Sequence, residues 1–217
     1  MSEKLRVTCT EHDTCRFANS RDACLSAFIL PIIHDDKNDK DKDNYNYNDD
    51  MNDRDNDKNI DKYDNLMMLL GEETQGRYSG EFNLIGGKGE LSDNGCLIEC
   101  LRREVKEECK IDFGDLEMFD QNIKDPITGH LRVLFFHTTP VFVGNFLNLS
   151  KTSVDQINQI ILQDNQDLNL PSHLKELSQV QWIKMKGDQS VMMPISDFTK
   201  QVIKYFRKLL RQRIFVI

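Results

Sequence analysis

Glu104, Glu107 and Glu108 are the residues whose types and spacing could do chemistry in this chain. They stand in the run Arg103-Glu104-Val105-Lys106-Glu107-Glu108, with Gly86 and Gly87 upstream and Ile111 just downstream. On a helix from Cys96 to Cys109 the three carboxylates fall at i, i+3 and i+4 and share one face. Like charges so placed repel each other, and a plain solvated helix gains nothing from them. A divalent cation removes the repulsion, and hard cations such as Mg²⁺ or Mn²⁺ select carboxylate oxygens. The glycine pair lets the backbone come close to such an ion or to a phosphate.

The elements that must position these acids can be read around them. Leu97, Leu101 and Val105 recur at i, i+4 and i+8 on another side of the helix, so it can pack with its acids outward. Upstream lie a strand-like run from Leu66 to Leu70 and a segment from Tyr78 to Ile85, followed by the glycine loop. Cys24 to Ile33 reads as an apolar strand, with Pro31 expected to mark its end. Downstream, Leu116 to Phe119 and Leu131 to Val143 read as strands. The turn signal Asp125-Pro126-Ile127-Thr128-Gly129 between them suggests a hairpin. Val154 to Leu162 reads as a short helix and Val180 to Met185 as one more strand. A last helix is expected to run from an N-cap at Ser196 to about Arg211.

The stretch from Gly86 to Ile111 resembles the Nudix box, the signature of hydrolases that cleave a nucleoside diphosphate linked to another group. The family pattern is Gly, five residues, Glu, seven residues, Arg-Glu, an apolar residue, any residue, Glu-Glu, any residue, Gly, apolar. Arg103, Glu104, Val105, Glu107, Glu108 and Ile111 match its second half. Taking Gly87 as the first glycine puts Asp93 in the upstream acid position, with nine residues before Arg103. Strict spacing selects Gly89 and leaves Gly95 there. The Gly87 alignment is preferred because it keeps the glycine pair and an acid. Lys110 replaces the last glycine in either case.

The resemblance implies one α/β domain over residues 1–217, an α/β/α sandwich with a mixed sheet. It implies that Glu104, Glu107 and Glu108 hold Mg²⁺ or Mn²⁺, with a further ligand from the Gly86 carbonyl. Glu104, Glu107 and Arg103 then form the catalytic set, with Arg103 orienting a glutamate. Glu104 is the family's frequent general base, although several members use an acid of a later loop, for which Glu176 is the candidate here. The implied reaction is metal-dependent hydrolysis of a pyrophosphate linkage, in ADP-ribose, a nucleotide sugar or a similar compound. Hydrolysis of capped mRNA and a catalytically silent nucleotide-binding module are the alternatives.

Composition bounds the rest. The net charge of −8 is concentrated between Asp35 and Asp64, where twelve Asp meet six Lys or Arg. That Asp- and Asn-rich stretch lacks hydrophobic periodicity and reads as a disordered insertion within the domain. No apolar run approaches the roughly 20 residues that span a bilayer, and the first residues lack a signal pattern. An intracellular, cytoplasmic protein is therefore expected, with its six cysteines reduced. Cys9, His12, Cys15 and Cys24 offer zinc ligands at a spacing that matches no common finger, so free thiols are the preferred reading. Cys96, Cys100 and Cys109 read as packing residues. Lys200, Lys204, Arg207, Lys208 and Arg211, with Arg213 beyond, form a basic helix face. That face suits either solvent or an RNA partner beside the nucleotide-type substrate. His130, Arg132 and His137 could reach a substrate phosphate.

Overall fold

The apolar strand residues alternate between two separate cores, and this alternation sets the layers. The computed structural model describes residues 5–34, 66–110, 132–136, 139–144, 151–185 and 193–211. In β2 (Leu66–Glu73), Met67 and Leu69 enter one hydrophobic cluster, while Leu66, Met68 and Leu70 enter the other. A strand buried on both faces needs no polar side, which is why this run reads as continuously apolar.

The other strands are β1 (Ser26–His34), β3 (Phe82–Asn83), β4 (Ile85–Lys88), β5 (Arg132–Phe136), β6 (Thr139–Gly144) and β7 (Leu177–Lys184). The sheet order is β3-β2-β1-β6-β5, with β4 also on β1 and β7 also on β2. β1 and β6 run parallel, and the remaining pairs are antiparallel, so the sheet is mixed.

Pro31 does not end β1. Residues 26–29 pair with β4 and residues 32–34 with β2. Leu30 and Pro31 fall between these two partners, where neither antiparallel ladder asks proline for an N–H. The run Leu131 to Val143 also differs from expectation. It divides into β5 and β6, which fold back on each other from the Phe136–Thr139 pair onward. The expected strand at Leu116–Phe119, the turn at Asp125–Gly129, the insertion over Asp35–Asp64, His130, His137 and Arg213 lie outside the described residues.

Four α-helices flank the sheet among the described residues: α1 (Asp13–Asn19), α2 (Leu97–Cys109), α3 (Lys151–Gln166) and α4 (Asp197–Arg211). Leu97, Leu101 and Val105 of α2 share the first core with Cys15 of α1 and Val154, Ile157 and Ile161 of α3. Val202, Ile203, Phe206 and Leu210 of α4 fill the second core on the other face. The molecule is thus an α/β/α sandwich with a mixed sheet. α3 is longer than the expected Val154–Leu162 and also clamps β7. Asn158 accepts from the Val180 amide at 2.7 Å and donates to the Val180 carbonyl at 3.0 Å. α4 starts as expected, with the Ser196 hydroxyl accepting from the Thr199 amide at 3.1 Å. Both hydroxyls donate to Asn83 Oδ1, at 2.8 and 2.7 Å, which ties the helix start to β3.

Candidate metal and active site

α2 presents its acids where β4 passes beneath it, and two glycines make that approach close. Gly86 has φ +127°, a conformation foreign to L side chains, and an added Cβ would meet the Ala27 carbonyl oxygen at 2.2 Å. Its amide donates to Glu108 Oε2 at 2.8 Å, so the buried carboxylate is held from the backbone. A Cβ on Gly87 would stand 2.7 Å from Glu104 Oε2, so this position is kept empty for the Glu104 carboxylate. Gly86→Ala is expected to destabilise the fold by about 3 kcal/mol, summing backbone strain and overlap. Thermal unfolding checks it, and a midpoint equal to wild type would refute the close packing of β4 on β1.

Arg103 is the hub of the helix face. Its Nε and Nη2 grip Asp93 Oδ1 and Oδ2, each at 3.0 Å, in a bidentate pair. Nη2 also donates to the Lys88 carbonyl and to Glu104 Oε1, both at 2.9 Å, and Nη1 to Glu107 Oε2 at 3.1 Å. Asp93 is buried and accepts the Glu90 amide at 2.7 Å. The acid that the Gly87 alignment selects is therefore the one that anchors Arg103. Arg103 in turn orients Glu104 and Glu107.

The carboxylates that converge are Glu104, Glu108 and Glu176, each offering an oxygen within 4.8 Å of the others. Glu107 is not in this group and stays with Arg103. Its charge nevertheless raises the proton affinity of both Glu104 and Glu176. Burial, then Glu107 and Glu176, push Glu104 up to about 7 against the opposing pull of Arg103. Glu108 is driven well above the usual carboxylate range by burial and by Glu104, although the Gly86 amide opposes this. Glu176 rises through burial and the nearby Glu107.

Glu176 arrives on the loop before β7, where its carbonyl accepts the Thr74 amide at 2.7 Å. Glu73, at the end of β2, was missed by sequence reasoning. It accepts a hydrogen bond from Asn83 Nδ2 at 3.1 Å, and burial followed by repulsion from Glu176 raises its proton affinity. The signal available was a pair of acids closing an otherwise apolar strand. Such an excess of buried negative charge suits a hard divalent cation, for which these oxygens are the natural donors. Gly86 meets the cluster through its amide.

Lys110 takes a left-handed conformation, φ 57°, at the end of α2. This explains why a glycine suits that position, since a lysine there costs about 1 kcal/mol. Its ammonium ion pairs with Asp164 at 3.0 Å and so joins α2 to α3. The basic residues of α4 lie elsewhere. Lys200, Lys204, Arg207, Lys208 and Arg211 line a groove of about 930 Å³ whose floor includes Met68 and Met185 of the second core. The groove thus sits across the sheet from the acids of α2. Arg132 is on β5. No helix among the described residues is long and apolar enough to cross a membrane.

Fold and site together define a three-layer α/β protein with a carboxylate cluster drawn from α2 and the loop before β7. No protein-family model matches the chain, and no curated protein matches it by sequence. Solved structures do resemble it. The NUDIX domain of Shewanella oneidensis NrtR complexed with ADP ribose aligns at 12% identity and a TM-score of 0.46, over 86% of this chain and 87% of that one. Shewanella oneidensis NrtR aligns at 14% identity and a TM-score of 0.44, and its complex with a 27mer DNA at 14% and 0.43. In both cases the alignment covers 87% of this chain and 63% of the NrtR chain.

Proposed function

We propose that the chain is a metal-dependent hydrolase of the Nudix type, acting on the pyrophosphate linkage of a nucleoside diphosphate joined to another group, such as ADP-ribose or a nucleotide sugar. The observation that carries this reading is the approach of the Glu104, Glu108 and Glu176 carboxylates to within 4.8 Å of one another, two of them buried. Arg103 is the guanidinium bonded to this face, and it is already shared with Asp93. Charges this poorly balanced are tolerable where a cation completes them.

Of the three helix glutamates expected to hold Mg²⁺ or Mn²⁺, Glu104 and Glu108 would do so with Glu176 in reach, and Glu107 would stand beside them, held by Arg103. The ion supplies charge stabilisation on the phosphate oxygens and lowers the pKa of a water. Arg103 keeps Glu104 and Glu107 at fixed positions through its hydrogen bonds, and so acts as a positioning residue. The Gly86 amide does the same for Glu108. Glu176, on the loop before β7 and within reach of Glu104 and Glu108, is the later-loop acid that would take a proton from water, and burial with the Glu107 charge raises its proton affinity. Hydrolysis of capped RNA is the alternative: the basic residues of α4 would attract a phosphate backbone, although their groove lies on the other face of the sheet from the acids of α2.

The test is hydrolysis by the purified chain, with Mg²⁺ and then Mn²⁺, of ADP-ribose, nucleotide sugars, dinucleoside polyphosphates, NADH, nucleoside triphosphates and capped RNA. Metal-dependent release of a nucleotide by wild type, lost in Glu107→Gln, is the expected result and names the substrate class. Absence of turnover on every compound, with nucleotide still bound, would make the chain a silent binding module.

A further inference from the structure

Three cysteines from separate parts of the chain meet at the start of α2, away from the carboxylates that the proposed hydrolysis uses. The Sγ atoms of Cys9, Cys15 and Cys96 lie within 4.8 Å of one another. Cys15 and Cys96 approach to 3.8 Å although 81 residues separate them. Zn–S bonds of about 2.3 Å at tetrahedral angles place two sulfur ligands about 3.8 Å apart. The observed separation matches that of two sulfur ligands on one ion. A single S–H···S hydrogen bond accounts for the Cys15–Cys96 pair but not for the third thiol, Cys9, which joins them.

The supporting backbone is built for this meeting. The amides of Thr8 and Cys9 both donate to the Gly95 carbonyl, at 3.0 and 3.2 Å, which brings Cys9 beside the residue before Cys96. Cys15 is fully buried on α1, and Cys96 occupies the N-cap position of α2. The partial positive charge of a helix start favours a thiolate there, the form in which cysteine binds metal. Cys24 belongs to a different place, in a bridge with Arg6, so the spacing-based set of Cys9, His12, Cys15 and Cys24 is not the one that assembles.

We propose that Cys9, Cys15 and Cys96 bind one zinc ion, which fastens the N-terminal segment and α1 to the first turn of α2. Soft thiolate ligands select zinc over magnesium, so this site and the carboxylate cluster sort different metals. A water takes the fourth tetrahedral position. On binding, each thiol releases its proton to solvent.

The full chain, expressed with zinc and purified reduced without chelator, is expected to hold about one zinc per molecule by elemental analysis. Cys9→Ser is the informative variant, because Cys9 is half-buried and its loss leaves little cavity. It is expected to lose nearly all the zinc, whereas Cys24→Ser and Glu104→Gln keep it. Cobalt added to the zinc-free chain should give the near-ultraviolet charge-transfer absorption of thiolate ligation, absent in Cys9→Ser. A zinc-free wild type with no cobalt–thiolate absorption overturns the proposal. So does a Cys15–Cys96 disulfide in protein prepared without reductant, or loss of the zinc in Glu104→Gln. Each of these readouts is independent of hydrolysis.

Discussion

Glu108→Gln is expected to lower metal-dependent hydrolysis about a thousandfold while leaving the metal-free protein at least as stable as wild type. The two halves of this expectation come from one geometry. Glu108 is buried, accepts the Gly86 amide through Oε2, and lies in the group with Glu104 and Glu176. Burial and the neighbouring Glu104 raise its proton affinity well above the usual carboxylate range, so removing its charge relieves strain in the ion-free site. Glutamine has the same size, keeps an oxygen for the Gly86 amide and removes one repelling charge, so packing survives. A cation, however, loses an anionic ligand, and removing one preorganised charge contact from such a site costs on the order of 10²–10³ in rate. Turnover measured across a magnesium titration, beside unfolding of the metal-free protein, checks both halves. Wild-type turnover at every magnesium concentration would take Glu108 out of the metal site.

What could be read from sequence was what local periodicity encodes. The 3.6-residue repeat placed Leu97, Leu101 and Val105 in the core, and the same helix carries Arg103, Glu104, Glu107 and Glu108. The preference for Asp93 over Gly95 rested on keeping the glycine pair and an acid, and Asp93 is where Arg103 is anchored. Long-range pairing was not readable. Glu176 reaches α2 because β7 pairs with β2 about a hundred residues away, through a register shift between Glu72 and Glu73. Such a bulge re-aims side chains in a way that alternation does not predict. Cys96 packs in the core as its sequence position suggested, but its meeting with Cys15 was unreadable because 81 residues separate the two. Pro31 misled because proline was weighed against a single ladder, whereas β1 exchanges one antiparallel partner for another at that point.

The metal-free protein is expected to lose stability as pH rises from about 4.5 to about 7, and magnesium is expected to restore it at the upper end. Glu104 has an ordinary carboxylate affinity in the unfolded chain, 4.5, and about 7 in the folded one. The folded state therefore binds more protons across this window, and linkage gives stability that is full below the lower value and lost through the upper. For Glu104 alone the difference amounts to about 3 kcal/mol, and Glu73, Glu108 and Glu176 are shifted in the same direction. Magnesium competes with those protons, so it should raise the unfolding midpoint near pH 8 and change it much less near pH 5, where Glu104 holds hydrogen. Magnesium is the right probe because it does not bind thiolates, and a chelator would also strip the cysteine cluster. The decisive comparison is denaturant unfolding of wild type and Glu104→Gln at both pH values, with and without magnesium. A midpoint in wild type that neither falls with pH nor responds to magnesium would mean that these acids share no ion, and the repulsion on α2 would need another explanation.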